Sequence, residues 1–255
     1  MASGRNIITP EVSRLAKPIC PYRWIHILQS GKEIFMEKNQ LIIALNGQLQ
    51  GTIADYKPII KKEDSIFIAA DGGALLLEKL GVIPDILVGD FDSITGKKLT
   101  YYRKKNVKIV QYPVEKDETD GELALKYSLV KYPGKNIIII GTQGGRLDQQ
   151  LANILLLEYG YYHGLKVLIK EPGLEMGLIV KKVIFNNCEG ESLSLIPLSK
   201  VVSGVTIKGC KYELKNEQLF RYKTRGISNL VIEKSAELSI KEGIVIYLKQ
   251  TLDKK

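Results

Sequence analysis

Four consecutive isoleucines, Ile137 to Ile140, run directly into Gly141, and no other stretch limits the fold as strongly. Successive side chains of a strand point to opposite faces, so a half-exposed strand alternates apolar and polar residues. An unbroken apolar run must be buried on both faces, as in a parallel sheet covered by helices. The pattern recurs along the chain. Leu41 to Leu45 ends at Asn46-Gly47, Ile66 to Ala70 at Asp71-Gly72-Gly73, and Ile86 to Val88 at Gly89-Asp90. Val107 to Val110 stops before Pro113, and Leu165 to Ile169 stops near Pro172. Helical spacing lies between several of these runs: Ala74 to Leu80 closed by Gly81, then Leu123, Tyr127 and Val130, then a stripe of Leu147, Leu151, Ile154 and Leu155. Strands alternating with helices predict an α/β domain with a mainly parallel sheet over residues 41–172.

The pattern changes after Pro172. Short runs with near alternation follow: Leu178 to Phe185, Glu191 to Ile196, Val201 to Ile207, Gly226 to Ile232, Ala236 to Ile240 and Gly243 to Leu248. Gly, Asn and Lys-Glu-Gly separate them, which predicts an all-β sandwich domain over residues 173–255. Residues 1–40 are assigned to an N-terminal extension with a helix. Met1 to Ile8 lack the apolar core of a secretory signal, while Arg5, Arg14 and Lys17 against Glu11 leave a transit peptide open. No apolar run approaches the roughly 18 residues of a membrane span. Cys20, Cys188 and Cys210 are odd in number and have no metal-type spacing, so they read as reduced thiols in the cytoplasm. The net charge of +9 is spread over pairs such as Lys61-Lys62 and Lys181-Lys182. That reads as solvated surface with no basic arm for nucleic acid.

The acids carry the functional signal. Asp71, Asp90, Asp92, Asp117, Asp120 and Asp148 each follow an expected strand or open an expected helix. A parallel sheet gathers such positions along its carboxyl edge, where ligands bind. Asp90 and Asp92 are two apart, so in an extended segment both point the same way. Paired carboxylates suit magnesium, which takes one or two of them plus substrate phosphates. Either acid alone is as well explained as a turn cap, but the six together repel one another and call for a cation. Gly141 to Asp148, containing Gly144, Gly145 and Arg146, follows a strand and opens a helix. Its glycines let backbone N–H groups approach phosphate, and Arg146 offers a fork of donors; a plain tight turn fits equally well. No Gly-Lys pair is followed by Ser or Thr, so there is no Walker A loop, and no Gly-x-Gly-x-x-Gly is present. In Lys116 to Asp120, Thr119 with Glu122 forms a capping box, while Asp117 or Asp120 could serve a metal and Lys116 a phosphate. His26 and His163 have no ligand partner at metal spacing.

Together these segments resemble the thiamine pyrophosphokinases. The resemblance runs from about residue 41 to 248. It rests on Asn46-Gly47, Ala70 to Ala74, Pro84 to Ile94 with its Gly-Asp-Phe-Asp-Ser, Lys116 to Asp120, Gly144 to Asp148, and Ser228-Asn229. Gln149 stands where many relatives have His and is given no role; Tyr212 after Gly209 matches the family pattern only approximately. The resemblance implies a nucleotide domain, a β-sandwich and a homodimer, with thiamine between one subunit's sheet edge and the other's β-domain. ATP is the co-substrate, and thiamine diphosphate and AMP are the products. It implies magnesium on Asp90, Asp92, Asp117 and Asp120, and ATP against Asn46, Asp71, Gly72, Gly73, Gly144, Gly145 and Asp148. Lys116 and Arg146 would stabilise the transferring diphosphate. Asp92 or Asp120 would take the hydroxyl proton, and Ser228 and Asn229 would contact thiamine. Two rivals stand beside this reading: a pyrophosphokinase for another heterocyclic alcohol, and a non-catalytic nucleic-acid binder that leaves the acids unexplained.

Overall fold

A computed structural model describes residues 40–252, so the expected extension, with Cys20 and His26, lies outside the described residues. The chain divides into two compact units between Val167 and Leu168. The division falls slightly before Pro172-Gly173. That punctuation is the turn of a hairpin, not a linker, because the strands on either side of it pair antiparallel.

In the first unit, β1 (Gln40–Ala44), β2 (Ser65–Ala70), β3 (Ile86–Gly89), β4 (Lys108–Gln111) and β5 (Asn136–Ile140) form a parallel sheet in the order β5-β1-β2-β3-β4. The helices are α1 (Ile53–Tyr56), α2 (Gly73–Lys79), α3 (Gly96–Lys104), α4 (Asp120–Lys131) and α5 (Leu147–Tyr162). The unbroken apolar runs are buried on both faces, as expected of a helix-covered sheet. Ile42, Phe67 and Ile138 share a register row and pack with Leu76 and Leu77 of α2 and Tyr102 of α3. The alternate residues Leu41, Ile43 and Ile68 are equally buried, and α4 packs on β2 and β3. The strand order reverses at β1: β2 lies on one side and β5 on the other. A crevice opens at such a switch point, beyond the strand ends.

Two features depart from the sequence expectation. The α3 helix was not anticipated, because its residues show little apolar periodicity and only Tyr102 is buried. In α5 the leucine stripe is turned outward: Leu147, Leu151 and Leu155 are exposed, whereas Leu156, Leu157 and Gly160 are buried.

The second unit contains β6 (Lys166–Glu171, entered across the division), β7 (Leu174–Ile179), β8 (Lys182–Asn186), β9 (Ser192–Pro197), β10 (Val201–Lys208), β11 (Leu214–Phe220), β12 (Asn229–Leu230), β13 (Ser235–Ser239) and β14 (Val245–Gln250). They form two antiparallel layers, β12-β9-β14-β7-β6 and β11-β10-β13-β8. One core lies between the layers, with Leu195, Val245 and Tyr247 from one side and Val202, Ile207, Leu219 and Leu238 from the other. The run from Leu178 to Phe185 breaks into two strands, β7 and β8, one in each layer. β11 escaped the sequence reading because Lys215, Asn216, Glu217 and Gln218 hide its apolar ends, Leu214 and Leu219.

Candidate active site

The loops after β1, β2, β3 and β5 and the start of α4 surround a cavity of about 320 Å³ at the switch point. The loops after β1 and β5 touch backbone to backbone. Gln48 N–H donates to Gln143 O at 2.8 Å, and a Cβ on Gly47 would stand 2.2 Å from Gly141 O. Gly72 fits beneath the side chain of Asn46, and Gly73 fits against Ala44 O, so neither position has room for a side chain.

Asp71, Asp90 and Asp92 bring carboxylate oxygens within 4.8 Å of one another. Asp71 follows β2 with φ 42° and is 5% exposed. Ser93 Oγ donates to Asp92 Oδ1 at 3.0 Å, and Asp71 Oδ1 has no hydrogen-bond partner among the described residues. Burial, then the neighbouring charges of Asp92 and Asp90, raises its pKa above the usual carboxylate value. Gly89, at φ 148°, makes the close approach possible: a Cβ there would lie 3.0 Å from Asp71 Cβ and 3.2 Å from Asp120 Oδ1.

Lys116 links these acids from 26 residues away. Its Nζ donates to Asp90 Oδ2 at 2.5 Å and stands 3.2 Å from Asp120 Oδ1. The second contact is an ion pair without the direction of a hydrogen bond, since Asp120 Oδ1 is buried and lacks one. Burial works against the Asp90 charge, but bonds from Lys116 and from the Asp92 amide outweigh it and hold Asp90 below the usual range. Burial likewise opposes the Lys116 charge, and Asp90 and Asp120 outweigh it upward. Asp120 is raised by burial, which the Lys116 contact does not fully offset.

Asn46, Asp71, Asp92, Lys116, Asp120 and Gly144 line the cavity. The geometry differs from the sequence expectation at several positions. The three-acid cluster takes in Asp71 and excludes both Asp117 and Asp120. Asp117 is exposed on its turn, and Asp120 is engaged by Lys116. Gly145, Arg146 and Asp148 do not line the cavity. Arg146 and Asp148 instead satisfy each other through two hydrogen bonds in the first turn of α5, both well exposed. Ser93, Glu118, Thr142 and Asn153 line the cavity and were missed, and Gln149, which the sequence reading left without a role, lines it as well. Ser93, Glu118 and Gln149 sit directly beside recognised residues, whereas Asn153, in the body of α5, carried no local signal. Lys126 was also missed; it holds Glu118 at 2.5 Å and Glu122 at 3.2 Å from the body of α4.

Within the β-sandwich, Ser228 is exposed in a left-handed conformation (φ 56°), its N–H on Ser194 Oγ. Asn229 is buried, and its amide is spent on structure: Oδ1 accepts from Tyr212 N–H and Nδ2 donates to Tyr212 O.

Residues 58–169 match the family model described as the thiamin pyrophosphokinase catalytic domain, and residues 181–245 the one described as its vitamin B1 binding domain. The thiamine pyrophosphokinase of Bacillus subtilis (strain 168) is 34% identical over 191 residues, 74% of this chain and 89% of its own. The chain belongs to the thiamine pyrophosphokinase family. Among solved structures, the Bacillus subtilis thiamine pyrophosphokinase superposes with a TM-score of 0.73 at 29% identity, covering 84% of this chain and 99% of that one. Yeast thiamin pyrophosphokinase, at 19% identity, shares the fold with a TM-score of 0.71 over 84% of this chain and 87% of its own. The stretch matched by the family's catalytic domain contains the Asp71-Asp90-Asp92 cluster and Lys116; Ser228, Asn229 and Tyr212 fall in the vitamin B1 binding stretch.

Proposed function

We propose that this member of the thiamine pyrophosphokinase family transfers diphosphate from ATP to the hydroxyl of thiamine, releasing AMP. The observation that carries the proposal is the cluster of Asp71, Asp90 and Asp92 beside Lys116, at the carboxyl ends of β2 and β3. Three close carboxylates, one with a buried unpartnered oxygen, fit a hard divalent cation. Asp71, Asp90 and Asp92 would hold magnesium, which when bound supplies charge neutralisation on the phosphates.

The chain's own groups do the remaining work. Lys116 fixes Asp90 and Asp120 relative to each other and places a positive charge beside the diphosphate. Asn46 and Gly144 line the cavity where the nucleotide would lie, while Gly72 and Gly73 let the neighbouring backbone and Asn46 pack closely behind it. Gly144 and Gln149 flank Arg146 in the chain and line the cavity, so Arg146 reaches a phosphate by exchanging Asp148 for it. The thiamine hydroxyl attacks the β-phosphorus, the bond to the α-phosphate oxygen breaks, and AMP leaves. Asp120 accepts the hydroxyl proton, because burial raises its basicity while Asp92 is committed to the cluster. Positioning and charge carry such a reaction more than a strong base does.

Thiamine contact by Ser228 and by the loop that Asn229 pins belongs to the same proposal, as does a homodimer. The exposed leucines of α5, spaced by four residues, are an apolar stripe that a second subunit would cover. Among the described residues no helix is long and apolar enough to cross a membrane, and Cys188 and Cys210 are free thiols, which agrees with a cytoplasmic enzyme.

The test is AMP release from ATP with magnesium. It should require thiamine and yield thiamine diphosphate in equal amount. ADP as the product, or AMP release indifferent to thiamine, would overturn the reading.

A further inference from the structure

The β-sandwich carries a second concave surface that the proposed reaction does not use. Lys200, Arg221 and Tyr222 line a cavity of about 360 Å³. Lys200 lies between β9 and β10, and Arg221 and Tyr222 directly follow β11. The frame is held by backbone bonds. Arg221 N–H donates to Lys200 O at 3.2 Å, and its Nη1 donates to Leu198 O at 3.4 Å. Leu198 and Ser199 N–H groups both donate to Ile244 O, and Ile244 N–H returns a bond to Ser199 Oγ. Lys223 turns back over the same loop, its Nζ 5.0 Å from the Phe220 ring and 5.8 Å from that of Tyr222.

The charges here are uncompensated. Among the described residues, neither Lys200, Arg221 nor Lys223 has a carboxylate partner, whereas Arg225 close by in sequence is paired with Glu217. Two cations line the concavity and a third, Lys223, stands over the neighbouring rings; like charges this close repel each other and favour a polyanion. Leu198 O takes only one guanidinium nitrogen, so the remaining donors of Arg221 are available for phosphate oxygens. Tyr222 is 75% exposed and offers a ring face beside the cations.

We propose that this pocket binds an aromatic ligand bearing a di- or triphosphate, with Arg221 and Lys200 on the phosphates and Tyr222 against the ring. Two sources share that chemistry: a nucleoside triphosphate and thiamine diphosphate. Binding there needs no turnover, so it stands or falls apart from the proposed reaction.

The test is calorimetric titration of the full chain in EDTA with three probes: an α,β-methylene ATP analogue, thiamine diphosphate and inorganic tripolyphosphate. Tripolyphosphate and at least one aromatic probe should bind, and the tighter aromatic probe identifies the source. Lys200→Ala and Arg221→Gln should each weaken binding about tenfold, the size of one charge-assisted hydrogen bond. Tyr222→Ala should weaken the aromatic probe about fivefold and leave tripolyphosphate unchanged. Asp92→Asn should retain the binding, which separates it from the carboxylate cluster. Lys200 is a loop residue whose removal leaves the core intact, so a folding failure in Arg221→Gln leaves the test decisive. Binding indifferent to Lys200→Ala, absence of binding by every probe, or aromatic binding indifferent to Tyr222→Ala would overturn the proposal.

Discussion

Burial leaves Asp71 5% exposed with two carboxylates for neighbours, so its charge is costly whenever no cation is bound. A raised folded value means that the stabilising contribution is present below the ordinary carboxylate range and is lost as pH rises through that raised value. Asp71→Asn should therefore melt higher than the parent in magnesium-free buffer at neutral pH, by about 2–4 °C. The gap should close toward pH 4, and thermal melts across that range would show it. The same substitution should cost at least about 100-fold in AMP formation. Asp90 has the opposite sign. Its value is depressed, so its contribution is present above the ordinary carboxylate range and is lost as pH falls. Lys116→Met strands Asp90 and Asp120 without their cation and should destabilise the chain by about 3 kcal/mol at neutral pH. Denaturant unfolding at several pH values should show this loss shrinking on acidification. The acids themselves were legible because each sits at a strand end or helix start. The bond from Lys116 to Asp90 was not, since nothing in local spacing joins residues 26 apart.

At the scale of elements, the strand ends set the tolerances of the site. Gly89→Ala places a Cβ against Asp71 and Asp120 at a φ of 148°, a region that side chains rarely adopt. Activity should fall at least about tenfold, by analogy with displacing a positioned electrostatic group. A steady-state magnesium titration should show a raised metal requirement; a parent-like titration would refute the close packing. The α5 helix gives a contrasting case. Its leucines form an apolar stripe at helical spacing, but Gly160 and Leu156 are the residues that pack inward, Gly160 beside Val167 and Leu165. Periodicity identifies an apolar face without saying what covers it. If a second subunit covers it, Leu151→Lys with Leu155→Lys should convert a dimer to a monomer in sedimentation, with unchanged far-ultraviolet circular dichroism.

At the scale of the whole molecule, the proposed shared site predicts complementation. Asp92→Asn disables the acid cluster, while Ser228→Lys sets a cation where cationic thiamine would bind. Each homodimer should be inactive, and co-expressed heterodimers should recover up to about a quarter to a half of parental activity, because one of two shared sites regains both intact halves. No recovery in a purified heterodimer would exclude sharing. The sequence by itself determined the parallel sheet, the change to β-structure and the edge on which the acids fall. Those properties follow from local rules: four buried isoleucines cannot sit in a half-exposed strand, and Gly-Asp turns must end the strands they follow. Tertiary structure alone decided which acids converge. Asp71 joined Asp90 and Asp92 because Gly89 lets the loops after β2 and β3 meet, while Arg146 and Asp148 turned to each other in the first turn of α5. Such choices depend on distances between segments far apart in the chain, and those distances are fixed only when the sheet closes and its loops compete for the same space.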